Sequence, residues 1–159
     1  MESIKSSTLK SKEEVINDLR HILELVNEGK ESYRSASEAT ENFELKALFL
    51  KLSGERIVYA AELEEHILLH SKEVESGSDS IGTKLKRTWQ SIKHTFNSHE
   101  DMKTLSVIAK SERAVVEEYN KCIADYADHA DHLSLLTEQR DGILVAVAEL
   151  EKQIVQQNG

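Results

Sequence analysis

Residues 45–70 read LKALFLKLSGERIVYAAELEEHILLH, and how this stretch is phased as a helix decides the fold. Taken at alternating steps of three and four, Leu45, Leu48, Leu52, Glu55, Tyr59, Glu62 and His66 fall on one helical face. That face begins apolar and turns acidic where a core should be driest. A later stretch has the same character, with Leu105, Ile108, Glu112, Val115, Tyr119, Cys122 and Tyr126 in register. Acids on facing stripes of a helical bundle imply either metal ligands or buried ion pairs.

The rest of the chain supplies the partners for these two helices. Ser11 stands three residues before Glu14, the spacing of a capping box, and opens a first helix over about residues 11–40. Its stripe is Val15, Leu19, Ile22, Val26, Gly29, Tyr33 and Ala36. A break at Thr40 and Glu41 is long enough only for an antiparallel turn, so the second helix, about 42–73, folds back on the first. Residues 75–80 have lost all apolar character and read as a loop. They lead to a shorter amphipathic segment at 83–97, with Leu85, Trp89, Ile92 and Phe96 on one face and Lys84, Lys86, Arg87 and Lys93 on the other. The basic side suits a solvated surface. Helices at about 99–126 and 128–156 complete the set, the last with the stripe Leu133, Leu136, Arg140, Ile143, Val147, Leu150 and Ile154.

Two helical hairpins joined by a long, partly helical crossover require the second and third helices to run parallel. The fold class is therefore all-α, a ferritin-like four-helix bundle with its crossover between helices 2 and 3. One domain over residues 11–157, preceded by a flexible N-terminus at 1–10, accounts for the length of 159 residues. The absence of proline and the small number of glycines, six, agree with helices throughout.

Composition narrows the function classes. A net charge of -9 disfavours nucleic acid as a partner, because counterion release needs clustered Lys and Arg. No segment approaches the length of a membrane span, and MESIKSSTLK lacks the apolar run of a signal peptide, so a cytoplasmic protein is expected with no membrane partner. The single cysteine, Cys122, sits in an apolar stripe and reads as a small core residue.

An ordered set of short motifs is similar to a known family. Asn27-Glu28-Gly29-Lys30-Glu31-Ser32-Tyr33, Leu45-Lys46-Ala47-Leu48-Phe49, Ala60-Ala61-Glu62-Leu63, the run from Gly82 through Trp89 to Lys93, then Glu112 and Tyr119 occur in sequence. Together they resemble a bacterial ferritin-like four-helix-bundle family catalogued as a domain of unknown function. The resemblance implies that fold and no established activity. In that family the fourth helix commonly carries a Glu and, further along, a His-Asp pair; Gly142, Val147 and Ala148 stand there in this chain.

Di-iron bundles use a Glu-x-x-His pair from each of two helices, and no such pair occurs in this sequence. Glu55, Glu62, His66 and Glu112 remain as alternative ligands for iron, manganese or zinc. The preferred reading is a buried ion network of Lys30, Glu55, Glu62, Glu112 and Arg140, which counting at about 1.5 Å per residue places at compatible heights. Arg140 cannot lose its proton and repels a cation. Separately, His66, His70, His129 and His132 approach one end of the bundle, either as a zinc, nickel or copper site or as polar helix termini. Tyr33, Tyr59, Tyr119 and Tyr126 read as core residues whose hydroxyls reach buried acceptors.

No catalytic residue emerges, so the expectation is a non-enzymatic module with no cofactor, self-associating or partner-binding in assembly or stress tolerance. A homo-oligomer is expected, a closed dimer rather than a cage, because no further apolar element follows Gln156. The alternative is a metal-binding protein, either a divergent di-iron oxidase or a metal carrier.

Overall fold

The computed structural model describes residues 11–70, 101–125 and 130–158. These form four helices, α1 (Lys12–Ala39), α2 (Phe43–His70), α3 (Asp101–Asp125) and α4 (Ala130–Asn158). The expected N-terminal tail, the crossover helix at 83–97 and residues Tyr126, Asp128 and His129 lie outside the described residues. None of the described helices is long and apolar enough to cross a membrane.

Local chemistry fixes the first hairpin. The Ser11 hydroxyl accepts from the Glu14 amide at 3.1 Å while the Glu14 carboxylate accepts from the Ser11 amide at 2.9 Å, closing the capping box. At the other end the Thr40 amide donates to the Ala36 carbonyl, and the Asn42 side chain accepts from the Leu45 amide at 3.1 Å. Asn42 thereby satisfies one of the free amides that start α2. Lys46 Nζ donates to the Ser37 carbonyl at 2.6 Å, tying the two helices beside the turn.

Cross-helix bonds set the directions. Lys46 with Ser37 and Ser53 with Lys30 run in opposite numerical order, so α1 and α2 are antiparallel. Tyr119 with Gln139 and Arg113 with Glu151 do the same for α3 and α4. His21 with Glu118 and Tyr33 with Glu112 make α1 antiparallel to α3. It follows that α2 and α3 run parallel, as the crossover arrangement requires. Helices pack closest within each hairpin and stand further apart between hairpins. The long side chains Arg56, Tyr33, Tyr119 and Phe49 are among the largest that are fully buried.

The stripes of α1 and α3 are buried at every expected position that is described, from Val15 to Ala36 and from Leu105 to Cys122. The phase of α2 differs. Its buried residues are Leu45, Leu48, Phe49, Leu52, Ser53, Arg56, Ala60, Leu63 and Ile67. Leu45, Arg56 and Ile67 are eleven residues apart, the repeat of a helix near its natural winding. A strict heptad drifts by about 20° per repeat on such a helix, so after two repeats it selects neighbours of the residues that face inward. Glu55, Tyr59, Glu62 and His66 each stand one residue before the inward-facing Arg56, Ala60, Leu63 and Ile67.

On α4 the buried face is shifted by less. Leu136, Ile143 and Leu150 belong to both possible stripes, and the buried flank is His132, Gln139 and Ala146 together with Val147. Arg140 sits at the half-exposed edge beside Gln139. Val147 and Leu133 are more apolar than Ala146 and His132, which favours the wrong flank when hydrophobicity alone is counted.

Candidate functional site

The middle of the bundle is polar, and the charges there are built from a different pair than the sequence suggests. The Arg56 guanidinium on α2 meets the Glu112 carboxylate on α3, with side chains 1% and 0% exposed. The Tyr33 hydroxyl on α1 donates to the same carboxylate at 2.5 Å. Arg56 also lies 5.5 Å from the ring centre of Tyr33 and 5.7 Å from that of Tyr59, within cation–π range. Burial pushes the Tyr33 hydroxyl well above the usual tyrosine range, against the opposing pull of Arg56, so it remains a donor.

One layer along, Gln139 on α4 organises a second set of bonds. Its carbonyl accepts from the Tyr119 hydroxyl at 2.7 Å, and its amide nitrogen donates to the Tyr59 carbonyl at 3.2 Å and to Glu62 at 3.0 Å. Tyr119 is fully buried, and burial raises its hydroxyl's pKa as it does that of Tyr33. At Gly142 a Cβ would stand 2.0 Å from the Tyr59 hydroxyl, so any larger residue there must displace that ring from its place against α4.

The five-residue network is thus corrected in its membership. Glu112 is buried in an ion pair, but with Arg56. Arg140 turns toward the edge, donating to Asn120 at 3.0 Å and to Asp141 at 3.1 Å and 3.2 Å. Lys30 is half-exposed beside Glu31 at 3.9 Å. Glu62 is exposed and reaches inward only through Gln139, and Glu55 is half-buried. The phase drift along α2 explains both acids, since a turn of one residue carries them from the centre of the bundle to its flank. Glu55, Glu62 and Glu112 therefore do not converge as the alternative ligand set requires.

His66 keeps a place in a possible metal site, with other partners. His66 and His70 lie one turn apart on α2, and antiparallel packing brings His132 of α4 against both. Ring centres are 4.6 Å apart for His66 and His70 and 4.8 Å from each to His132. His66 Nε2 and His132 Nδ1 are 2.6 Å apart. Among the described residues, these three histidines form the group able to hold a metal ion, with one ligand atom from each within 4.8 Å of the others. His132 is buried, while His66 and His70 are half-buried. Desolvation, then the neighbouring His70, hold His66 below the ordinary histidine pKa, with Asp131 opposing.

Sequence reasoning missed Arg56, Gln139 and His21. His21 is buried on α1 and meets Glu118 of α3 at 3.1 Å. The eleven-residue spacing of Leu45, Arg56 and Ile67 is the signal that finds Arg56.

The outward face of α2 carries a second apolar stripe. Phe43, Leu50, Ile57 and Leu68 are 86%, 53%, 56% and 66% exposed. Ala47, Gly54 and Ala61 lie between them at heptad spacing, and a Cβ on Gly54 would meet nothing within 4 Å. A helix apolar on two sides is suited to burial on both.

No curated protein and no solved structure matches the chain. The family model described as Domain of unknown function (DUF2383) matches residues 14–125, a span that takes in α2, α3, nearly all of α1 and the Arg56–Glu112 pair. The chain belongs to the DUF2383 family.

Proposed function

We propose that this protein is a non-enzymatic, self-associating module of ferritin-like architecture, and that its second copy docks along the outward face of α2. The observation that carries this reading is the exposed stripe Phe43, Ala47, Leu50, Gly54, Ile57, Ala61 and Leu68. Contiguous exposed apolar surface of this kind marks an interaction site. The heptad spacing suits helix-on-helix packing, and the order of large and small residues suits an antiparallel two-fold. With the axis between Glu55 and Arg56, Ile57 covers the partner's Gly54, Leu50 covers the partner's Ala61, and Phe43 meets the partner's Leu68. Each large side chain then meets a small one except at the ends, where two large ones close the seam. Gly54 in a helix interior costs about 1 kcal/mol relative to alanine, a cost explained by close approach of a partner helix.

The polar centre supports a structural rather than catalytic core. Arg56, Glu112, Tyr33, Tyr119 and Gln139 engage one another, and a permanent cation occupies the middle of the bundle. The parallel course of α2 and α3 supports the ferritin-like architecture.

Light scattering of the purified protein over a range of concentrations tests the reading. A dimer is expected, with Ile57→Glu converting it to a helical monomer of unchanged circular dichroism. A monomer at every concentration overturns the proposal. So does a dimer indifferent to Ile57→Glu, or a particle near twenty-four subunits.

A further inference from the structure

We propose that His66, His70 and His132 form a binding site for a divalent transition-metal cation of the zinc class at the end of the bundle where α2 finishes and α4 begins. The site is separate from the polar centre. His66 lies ten residues beyond Arg56, or about 15 Å along the helix.

Two features carry the inference. Histidines at i and i+4 present two imidazoles from one helix face, and His132 adds a third from a second helix, so the ligands are held by tertiary packing. The separations are those of ligands about to converge. A tetrahedral ion with Zn–N bonds of about 2.0–2.1 Å needs nitrogens roughly 3.3–3.4 Å apart. The present separations, from 2.6 Å between His66 and His132 to no more than 4.8 Å overall, bracket that value, so modest side-chain rotations that open the short pair and close the longer ones would reach it.

Three nitrogens leave one position of a tetrahedron for water or a fourth donor, the arrangement of an accessible rather than closed zinc site. Imidazole ligands also accept Cu²⁺, Ni²⁺ and Co²⁺. Co²⁺ therefore serves as a spectroscopic probe of the same site. The site does not depend on pairing through the outer face of α2.

Tag-free protein, stripped of metal, is titrated with Zn²⁺ against a chromophoric chelator, and Co²⁺ is followed by its visible spectrum. One ion per chain is expected, with a tetrahedral-type Co²⁺ spectrum and a rise in thermal midpoint on adding Zn²⁺. His132→Gln and the less buried His70→Gln should each weaken Zn²⁺ binding by roughly 100-fold or more, at least what loss of a supporting partner of a ligand costs. Ile57→Glu should leave binding unchanged, so failure of the site and failure of self-association are read separately. Absence of saturable Zn²⁺ binding overturns the proposal. So does binding that survives in His70→Gln and in a folded His66→Gln/His132→Gln variant.

Discussion

The Arg56 guanidinium and the Glu112 carboxylate meet across the diagonal of the bundle, joining the two parallel helices α2 and α3 where neither side chain reaches solvent. The hairpins stand further apart than the helices within each, and a long side chain reaching across supplies what small residues could not. Desolvating both charges offsets much of their attraction, so the pair contributes little net stability, but losing one member is costly.

Arg56→Met should therefore destabilise the fold by about 3–5 kcal/mol, because Glu112 is left buried without its cation. The double variant Arg56→Met/Glu112→Leu should recover most of that loss, as apolar replacements of similar volume can match a buried pair. Urea denaturation of the four proteins in the cycle gives the coupling. A nearly neutral Arg56→Met would mean that the pair is solvated.

Gly142→Ala should destabilise the protein even though alanine gains about 1 kcal/mol over glycine in a helix. The added methyl would fall 2.0 Å from the Tyr59 hydroxyl. A net loss of about 1–3 kcal/mol is the usual scale for overpacking. Tyr59→Phe in the same background removes the clashing oxygen and should restore part of the loss in thermal melts.

Acidification should weaken the end of the bundle that holds the histidines. His66 is faced by His70 on its own helix and by His132 and Asp131 on α4, and its folded pKa lies below the ordinary 6.5. The unfolded chain therefore takes up the proton first, so the stability this group contributes is present above that value and is lost as pH falls through the folded pKa. Denaturation midpoints should fall as pH drops below about 6.5, the ordinary histidine value, and fall less in His66→Gln.

The antiparallel seam can be tested by cross-linking. With Cys122→Ser to remove the native thiol, Leu50→Cys together with Ala61→Cys should give a covalent dimer on oxidation. The two positions lie about 16 Å apart along one helix, too far to bridge within a chain. Leu50→Cys with Leu68→Cys, which the two-fold keeps apart, should stay monomeric on denaturing gels. Equal cross-linking in both pairs would exclude this register.

The four helices and their directions were legible because they rest on dense signals. Ser11 and Glu14 mark an end, Thr40 to Asn42 leave room only for a turn, and the stripes of α1 and α3 hold their phase throughout. The site was legible in kind and misplaced by residue. A cation does pair with Glu112, but it comes from α2, where the drift of a heptad count moved the inward position from Arg56 to Glu55. On α4 the choice lay between Gln139 and Arg140, and it depended on a neutral amide bonding to two tyrosine groups across the core. No count of apolar residues contains that information.

The two apolar stripes of α2 have different periods, and this gives the helix a gradient along its length. The inner one, at eleven residues, winds about 20° forward per repeat, and the outer one, at seven, falls back by about 20°. From Leu45 to Ile67 they close on each other by roughly 100°. At the Phe43 end they lie on opposite sides, so the helix backbone would separate a subunit docked there from the interior. At the His70 end they are neighbours, Ile67 turned inward and Leu68 outward. Ile67 and Leu68 thus stand side by side where the inner and outer stripes meet, within a turn of His66 and His70.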